Sequence, residues 1–324
     1  MKILLINYHF FIYGGPDRYF FNIKSALEKE GNTVIPFAFN YENTLDTIYK
    51  KYFPNPITGI GPFLLSKISM SILEKIKAVY RMFYNREVNK KFRKIMDKEK
   101  PDVVFSVYLS SSMLPNILKI AKDEYGVKVI YRLSDFHMFC PSHLFYRKDK
   151  NICTECLDNK WSAIKNKCVK NSTIASTLRV LQMKNNEYHS WYNSVDTFIS
   201  PSKLMAKYLI EGGIPFEKVK HVPTFSKDIG KIVNSNNSST PYVLYFGIIR
   251  QEKGSEVLIK AYNSLKRPSF RLIMLGHVEP KYKNRLINFL DNDHIDLVNI
   301  LPPQKGKELI KKINNSLFII HPSL

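Results

Sequence analysis

Two glycine-bearing turns and four clustered cysteines are where the residue types of this chain could do chemistry. From Tyr242 to Gly276 the sequence reads as strand, loop, helix, strand, with Gly247, Arg250, Lys253 and Gly254 at the mouth of the helix. Glycines let backbone approach a ligand closely, and a basic pair beside the positive end of a helix suits a phosphate. Gly14 and Gly15 make a second such turn after the first apolar run, and Pro16 suits the first position of the helix that follows. That geometry leaves N–H groups free for an anion. It is not the dinucleotide fingerprint, because the spacing G-x-G-x-x-G is absent.

All four cysteines, Cys140, Cys153, Cys156 and Cys168, fall in one short span. The pair Cys153-x2-Cys156 has the spacing of a metal knuckle, and the outer two complete the donor set of a structural tetrathiolate zinc site. Disulfides and four unligated thiols are the other two readings. A fully ligated tetrathiolate has no open position, so no catalytic metal is expected.

The elements that must hold these groups alternate. Lys2–Tyr8, Thr33–Phe39, Asp102–Leu109, Val127–Leu133, Asp196–Ser200 and Lys218–Val222 read as strands, with a helix from about Asp17 to Lys29 and others between the later strands. Alternation of this kind predicts parallel sheets with right-handed crossovers. Residues 228–240 are polar and turn-rich and read as a linker, after which Tyr242–Phe246, Phe270–Leu275 and Leu317–His321 begin a second set. The fold class is therefore α/β with two doubly wound domains: 1–227, carrying a cysteine-rich insertion at 136–172, and 241–324.

Composition bounds the partners. A length of 324 residues with 44% hydrophobic content supports two real cores. The formal charge of +21 points to an anionic partner or simply to a lysine-rich composition with dispersed charge. No basic-aromatic stripe or recognised module supports nucleic acid. No apolar run reaches the roughly 18 residues of a spanning helix, and the N-terminal run is broken by Asn7 and His9, so a cytoplasmic protein is expected. Phe63–Phe83 sets Leu65, Ile68, Ile72, Ile76, Val79 and Phe83 at helical spacing among Lys67, Lys75, Lys77 and Arg81. It reads as an amphipathic helix packed on the sheet; the other reading is a helix lying peripherally on anionic lipid at the inner face of the cell membrane.

In order and spacing, Gly14-Gly15, Ser200-Pro201-Ser202, Glu252-Lys253-Gly254, Gly276 and Pro322-Ser323 resemble those of glycosyltransferase family 4, retaining sugar transferases of the GT-B fold. The resemblance covers essentially the whole chain. It implies a UDP- or GDP-sugar donor held mainly by the second domain, a glycan or lipid-linked acceptor held by the first, and a role in cell-surface polysaccharide synthesis. It implies that Lys253 contacts the donor diphosphate; the family's arginine position is Ile248, with Arg250 two residues on. Gly14, Gly15, Gly247 and Gly276 would line the donor site. The family's His-Asp pair at the end of the fourth strand reads Ser134-Asp135 here, which leaves Asp135 and His137 as candidate catalytic groups, His137 also suiting a satisfied core position. A cysteine-bearing insertion at this place looks like a subgroup feature. The family places two glutamates, seven residues apart, on the donor from the segment that follows Pro322-Ser323, and this sequence does not contain that segment. A chain ending there is expected to be unstable and weakly active, an inactive remnant, or a non-catalytic anion- or nucleic-acid-binding protein.

Overall fold

The computed structural model describes residues 1–57, 71–109, 112–147, 152–225, 240–266 and 268–323. The chain divides into two compact units, Met1–Lys227 and Asp228–Leu324. The expected linker at 228–240 falls, but for its last residue, outside the described residues.

The first unit is a six-stranded parallel sheet in the order β2-β1-β3-β4-β5-β6. The strands are β1 (Lys2–Ile6), β2 (Thr33–Phe37), β3 (Val103–Ser106), β4 (Lys128–Arg132), β5 (Thr197–Ser200) and β6 (Val219–His221). Each expected strand is found, shortened by one to four residues where the chain joins or leaves the ladder. Both faces are covered, so the strands read as continuous apolar runs: Leu4, Leu5 and Ile6 are fully buried. One face packs Leu4, Ile6, Val104, Val129 and Tyr131 against Val88, Phe92, Ile117 and Leu209. The other packs Ile3, Leu5 and Phe105 against Tyr19 and Phe20 of helix α1 (Gly15–Lys29).

Helix starts are set by local caps. α1 begins two residues earlier than expected, because Pro16 presets the first turn and the Asp17 carboxylate accepts from the Gly14 N–H at 2.8 Å. α2 (Ile72–Phe83) opens on a capping box in which Ser71 and Glu74 exchange hydrogen bonds. The described part of the expected 63–83 helix is this element, and residues 63–70 lie outside the described residues. Its first turns are not packed on the sheet: Ile72 is 75% exposed and Ile76 is 62% exposed, and only Arg81 is buried. α3 (Arg86–Glu99) and α4 (Asn116–Tyr125) follow. After β4 come two short helices, α5 (Glu155–Asp158) and α6 (Ser162–Lys165), then α7 (Thr173–Tyr188). In the Ser200-Pro201-Ser202 segment the Ser202 hydroxyl caps α8 (Lys203–Glu211) by accepting from the Met205 N–H at 3.1 Å.

The second unit is a parallel sheet in the order β7-β8-β9, made of β7 (Tyr242–Phe246), β8 (Arg271–Leu275) and β9 (Val298–Leu301). Residues 317–320 run beside the free edge of β7, the Leu317 N–H donating to Tyr242 O and the Ile320 N–H to Leu244 O. Helices α9 (Ser255–Asn263), α10 (Pro280–Ile287) and α11 (Gly306–Asn314) cover the sheet. No helix among the described residues is long and apolar enough to cross a membrane.

Candidate functional sites at the carboxyl ends of the strands

In the first unit the strand order reverses between β1 and β3, where parallel α/β sheets open a crevice beyond the carboxyl ends of the strands. Residues just past β1, β3 and β4 converge there. Tyr8 follows β1, Tyr108 follows β3 and Asp135 follows β4. The Tyr8 hydroxyl meets the Ser112 hydroxyl at 3.3 Å, and the Tyr108 hydroxyl is hydrogen-bonded to Asp135.

Asp135 is the hub of this cluster. Its Oδ1 accepts from the backbone N–H of His137 at 2.9 Å and from the His137 ring Nδ1 at 2.5 Å. Its Oδ2 accepts from His143 Nδ1 at 3.3 Å. Burial opposes a charge on this carboxyl, but His137 and His143 together hold it well below the usual carboxylate range. The Tyr131 hydroxyl takes up the other His137 nitrogen at 2.6 Å, and Tyr131 in turn bonds Tyr192. Beneath them the buried Arg179 donates to the His137 carbonyl at 3.1 Å and to Gln182. His137 is 5% exposed with both ring nitrogens engaged. Of the two roles open to it in the sequence, the geometry matches the satisfied buried histidine.

The Gly14-Gly15 turn differs from a free anion cradle. The Asp17 carboxylate, 4% exposed, accepts from the N–H groups of Tyr13 at 3.1 Å and Gly14 at 2.8 Å. A negative charge thus already occupies the start of α1, and the Gly14 amide is committed. Neither glycine has a positive φ, and a Cβ at Gly15 would meet nothing within 4 Å. The local backbone does not demand glycine there.

Beside this turn, the sequence reading missed His9 and Arg132. His9 Nδ1 lies 3.3 Å from Asp17 Oδ1, while its Nε2 is buried without a partner, among the rings of Tyr8, Phe11, Tyr13 and Tyr41. The Arg132 guanidinium lies 3.8 Å over the Tyr19 ring and donates to Ser134 and Thr224. The only sequence signals were a histidine breaking an apolar run and a cation closing a buried strand.

In the second unit the loop after β7 is held by short-range bonds. The Lys253 N–H donates to Arg250 O, the Gly254 N–H to Gln251 O, and the Ser255 hydroxyl to Arg250 O at 2.8 Å. Gly247 and Lys253 line a cavity of about 230 Å3 with Tyr245, Phe246, Ile248, His321 and Ser323. The expected site residues part company here. Gly247 and Lys253 share this cavity, and His321, which sequence reasoning did not single out, joins them. Arg250 does not line it; its side chain is about half exposed, 3.8 Å from Glu252. Gly276 is a packing residue: a Cβ there would come within 1.6 Å of the Gly247 carbonyl oxygen. Gly254 takes a φ of +70° against the Pro322 carbonyl.

The four cysteines are unpaired in this structure. Cys156 is buried against Ala163, Val180 and Cys168. Burial, then the nearby Cys140, Cys168 and Cys153, push its thiol up to about 12, and burial first raises Cys168 as well. The sulfurs are therefore neighbours, yet among the described residues no three His, Cys, Asp or Glu side chains are placed to hold a metal ion. The insertion folds as α5 and α6, with Cys156 and Cys168 packed beside Ala163 and Val180.

Residues 227–324 match the sequence family described as glycosyl transferases group 1. No curated protein matches the chain in sequence. Among solved structures, HepE of Anabaena in complex with UDP and glucose is 14% identical, with a TM-score of 0.58, over 100% of this chain and 74% of that one. Sucrose-phosphate synthase of Thermosynechococcus elongatus is 15% identical, with a TM-score of 0.62, over 99% and 75%. WaaG, a glycosyltransferase of lipopolysaccharide biosynthesis, is 14% identical, with a TM-score of 0.56, over 99% and 75%. At these identities the likeness is one of fold, and the fold is the GT-B type.

Proposed function

We propose that the protein transfers a sugar from a nucleoside diphosphate sugar to a glycan or lipid-linked acceptor, in the synthesis of a cell-surface polysaccharide. The observation that carries this reading is the cavity beyond β7, where Lys253 stands beside Gly247, inside the segment that matches the glycosyl transferases group 1 family. The Lys253 ammonium faces the place a diphosphate would take and stabilises the charge that grows on it as the glycosidic bond breaks. Arg250 supplies a second cation from the same loop when the acidic ligand draws it off Glu252. Gly14, Gly15 and Gly276 shape the backbone around the two strand ends; in this reading only Gly14 and Gly15 face ligand. Asp135, charged and partly open, orients a sugar hydroxyl. Transfer proceeds with retention, the acceptor attacking on the face the phosphate leaves and the phosphate taking the acceptor proton, so no protein nucleophile is needed.

The test is release of UDP or GDP from a panel of nucleotide sugars by the purified chain, with the anomeric configuration of the product read by NMR. UDP-glucose is the first donor to try, because HepE was crystallised with UDP and glucose. Stabilisation by UDP or GDP, with product of unchanged configuration, is the expected outcome. No nucleotide binding, together with salt-sensitive RNA binding, would instead favour the non-catalytic anion-binding reading.

The exposed face of α2 favours an acceptor presented at a membrane, with the protein at its cytoplasmic surface. Ile72, Leu73, Ile76 and Tyr80 are each at least half exposed, and Lys75 and Lys77 flank them. An apolar stripe edged by lysines gains both burial and charge attraction at anionic lipid. Co-sedimentation with vesicles containing phosphatidylglycerol is expected for the wild type and is expected to fall several-fold in the double variant Ile72→Ser, Ile76→Ser. Equal sedimentation of both would remove the membrane from the account.

A further inference from the structure

Two imidazoles share the Asp135 carboxylate, and they are not equivalent. His137 spends its second nitrogen on Tyr131 and is buried. His143 spends only Nδ1, on Asp135 Oδ2, and its side chain is 34% exposed. Its Nε2 has no partner among the described residues. Because a carboxylate only accepts, the hydrogen of a neutral His143 sits on Nδ1, and Nε2 presents a lone pair outward. Burial pushes the His143 imidazole below its ordinary value, against the pull of Asp135. The other charged or titratable groups that act on it are Arg179 and His137, both tied into the same network.

The chain goes out of its way to put His143 there. Its φ is +71°, a conformation that costs a side-chain-bearing residue of order 1 kcal/mol or more and that concentrates at functional positions. The loop is pinned on both sides of it. The Cys140 N–H donates to Phe136 O at 2.8 Å, the His143 N–H to Cys140 O at 2.9 Å, and the Phe136 N–H to His143 O at 3.2 Å. Phe145 then locks the return, its ring 4.6 Å from Phe136 and 5.0 Å from Tyr208. An imidazole with one nitrogen fixed on a buried carboxylate and the other open, on a strained and braced loop past β4, is built to meet a ligand.

We propose that His143 is a substrate-contacting residue whose Nε2 accepts a hydrogen bond from a sugar hydroxyl, with Asp135 fixing its orientation. The inference rests on the sugar-transfer reading and deepens it. The hydroxyl belongs to the donor sugar or to the acceptor, and the kinetics tell them apart. His143→Asn is the sharpest variant. Asparagine tolerates a positive φ and can keep an N–H on Asp135, but it puts nothing where Nε2 was. His143→Gln can place an oxygen near that point.

For H143N the expected result is a folded protein with UDP stabilisation within about twofold of wild type and a kcat/KM lower by roughly 10- to 100-fold, the loss of one well-placed hydrogen bond. H143Q is expected to recover part of it. A loss seen equally in donor hydrolysis and in transfer places the hydroxyl on the donor; a loss confined to transfer, with a raised acceptor KM, places it on the acceptor. Wild-type kcat/KM in folded H143N overturns the proposal. So does a histidine whose replacement lowers the melting temperature while folded enzyme keeps full activity. Failure of the wild type itself to bind or cleave any nucleotide sugar is a different result: it overturns the sugar-transfer reading, and this inference falls with it.

Discussion

Replacing Lys253 by alanine is expected to lower kcat/KM for sugar transfer by about 10²- to 10³-fold, the range found when one preorganised donor to a developing charge is removed. Among the described residues lining the cavity beyond β7, Lys253 is the only lysine or arginine. It sits in the short turn that feeds α9, whose positive end adds to its field. Its position is fixed by backbone bonds within 250–255 and not by contacts of its own side chain, so the substitution is expected to leave the melting temperature within about 1 °C, as surface changes away from packed features do. Lysine at this point is a point charge, so Lys253→Arg is expected to retain part of the activity. Steady-state kinetics on the three proteins, with UDP affinity measured by calorimetry, check this. A K253A enzyme with near-wild-type kcat/KM would remove the diphosphate role from this loop and return Lys253 to a solvated surface residue.

The second large effect is on stability and concerns a neighbour of that lysine. Gly254→Ala is expected to destabilise the protein by about 3 kcal/mol or more. Two costs combine. The residue has a φ of +70°, which L side chains adopt at a penalty, and an added Cβ would stand 1.8 Å from the Pro322 carbonyl oxygen. Backbone at both partners leaves no flexible group to swing aside, so the loop or the 317–323 segment must shift. Gly15→Ala is the control, since its Cβ enters open space on an ordinary backbone, and no comparable loss is expected. Urea unfolding of the two variants measures the difference. A G254A protein as stable as wild type would mean that the contact with Pro322 is not maintained in solution.

These two glycines show where sequence reading stops. Both sit in strand–turn–helix segments, and both read as places where backbone could approach a ligand. The structure gives them different reasons to be small. Gly254 is crowded by Pro322, 68 residues ahead in the chain, a contact no local pattern announces. Gly15 is uncrowded, so packing gives it no reason to be small. Gly276 likewise owes its size to the Gly247 carbonyl.

The buried parallel strands were legible because each is an apolar run bounded by polar or turn residues, a pattern fixed by burial on both faces. The helix positions followed from apolar spacing and from Pro16, both of which act within a turn or two of themselves. What α2 does was not legible. Its apolar positions look alike in the sequence whether they meet a sheet or solvent, and only the packing shows Ile72 and Ile76 facing outward.

Local chemistry, then, was written into the sequence by itself: two α/β sets, two glycine turns, a lysine at the mouth of α9, four thiols in one insertion. Tertiary structure alone decided which polar atoms remain free. Asp135 and His137 were visible as neighbours, but that His137 would be saturated by Tyr131 and that His143 would fold back to take the other carboxylate oxygen depends on a strand neighbour and on a loop closed by Phe136 and Phe145. The same holds for Asp17, whose charge fills the turn that the glycines seemed to leave open. The physical reason is one of range. Propensity and capping act over a few residues, whereas the satisfaction of a buried donor or acceptor depends on whichever group the fold brings to within 3 Å of it.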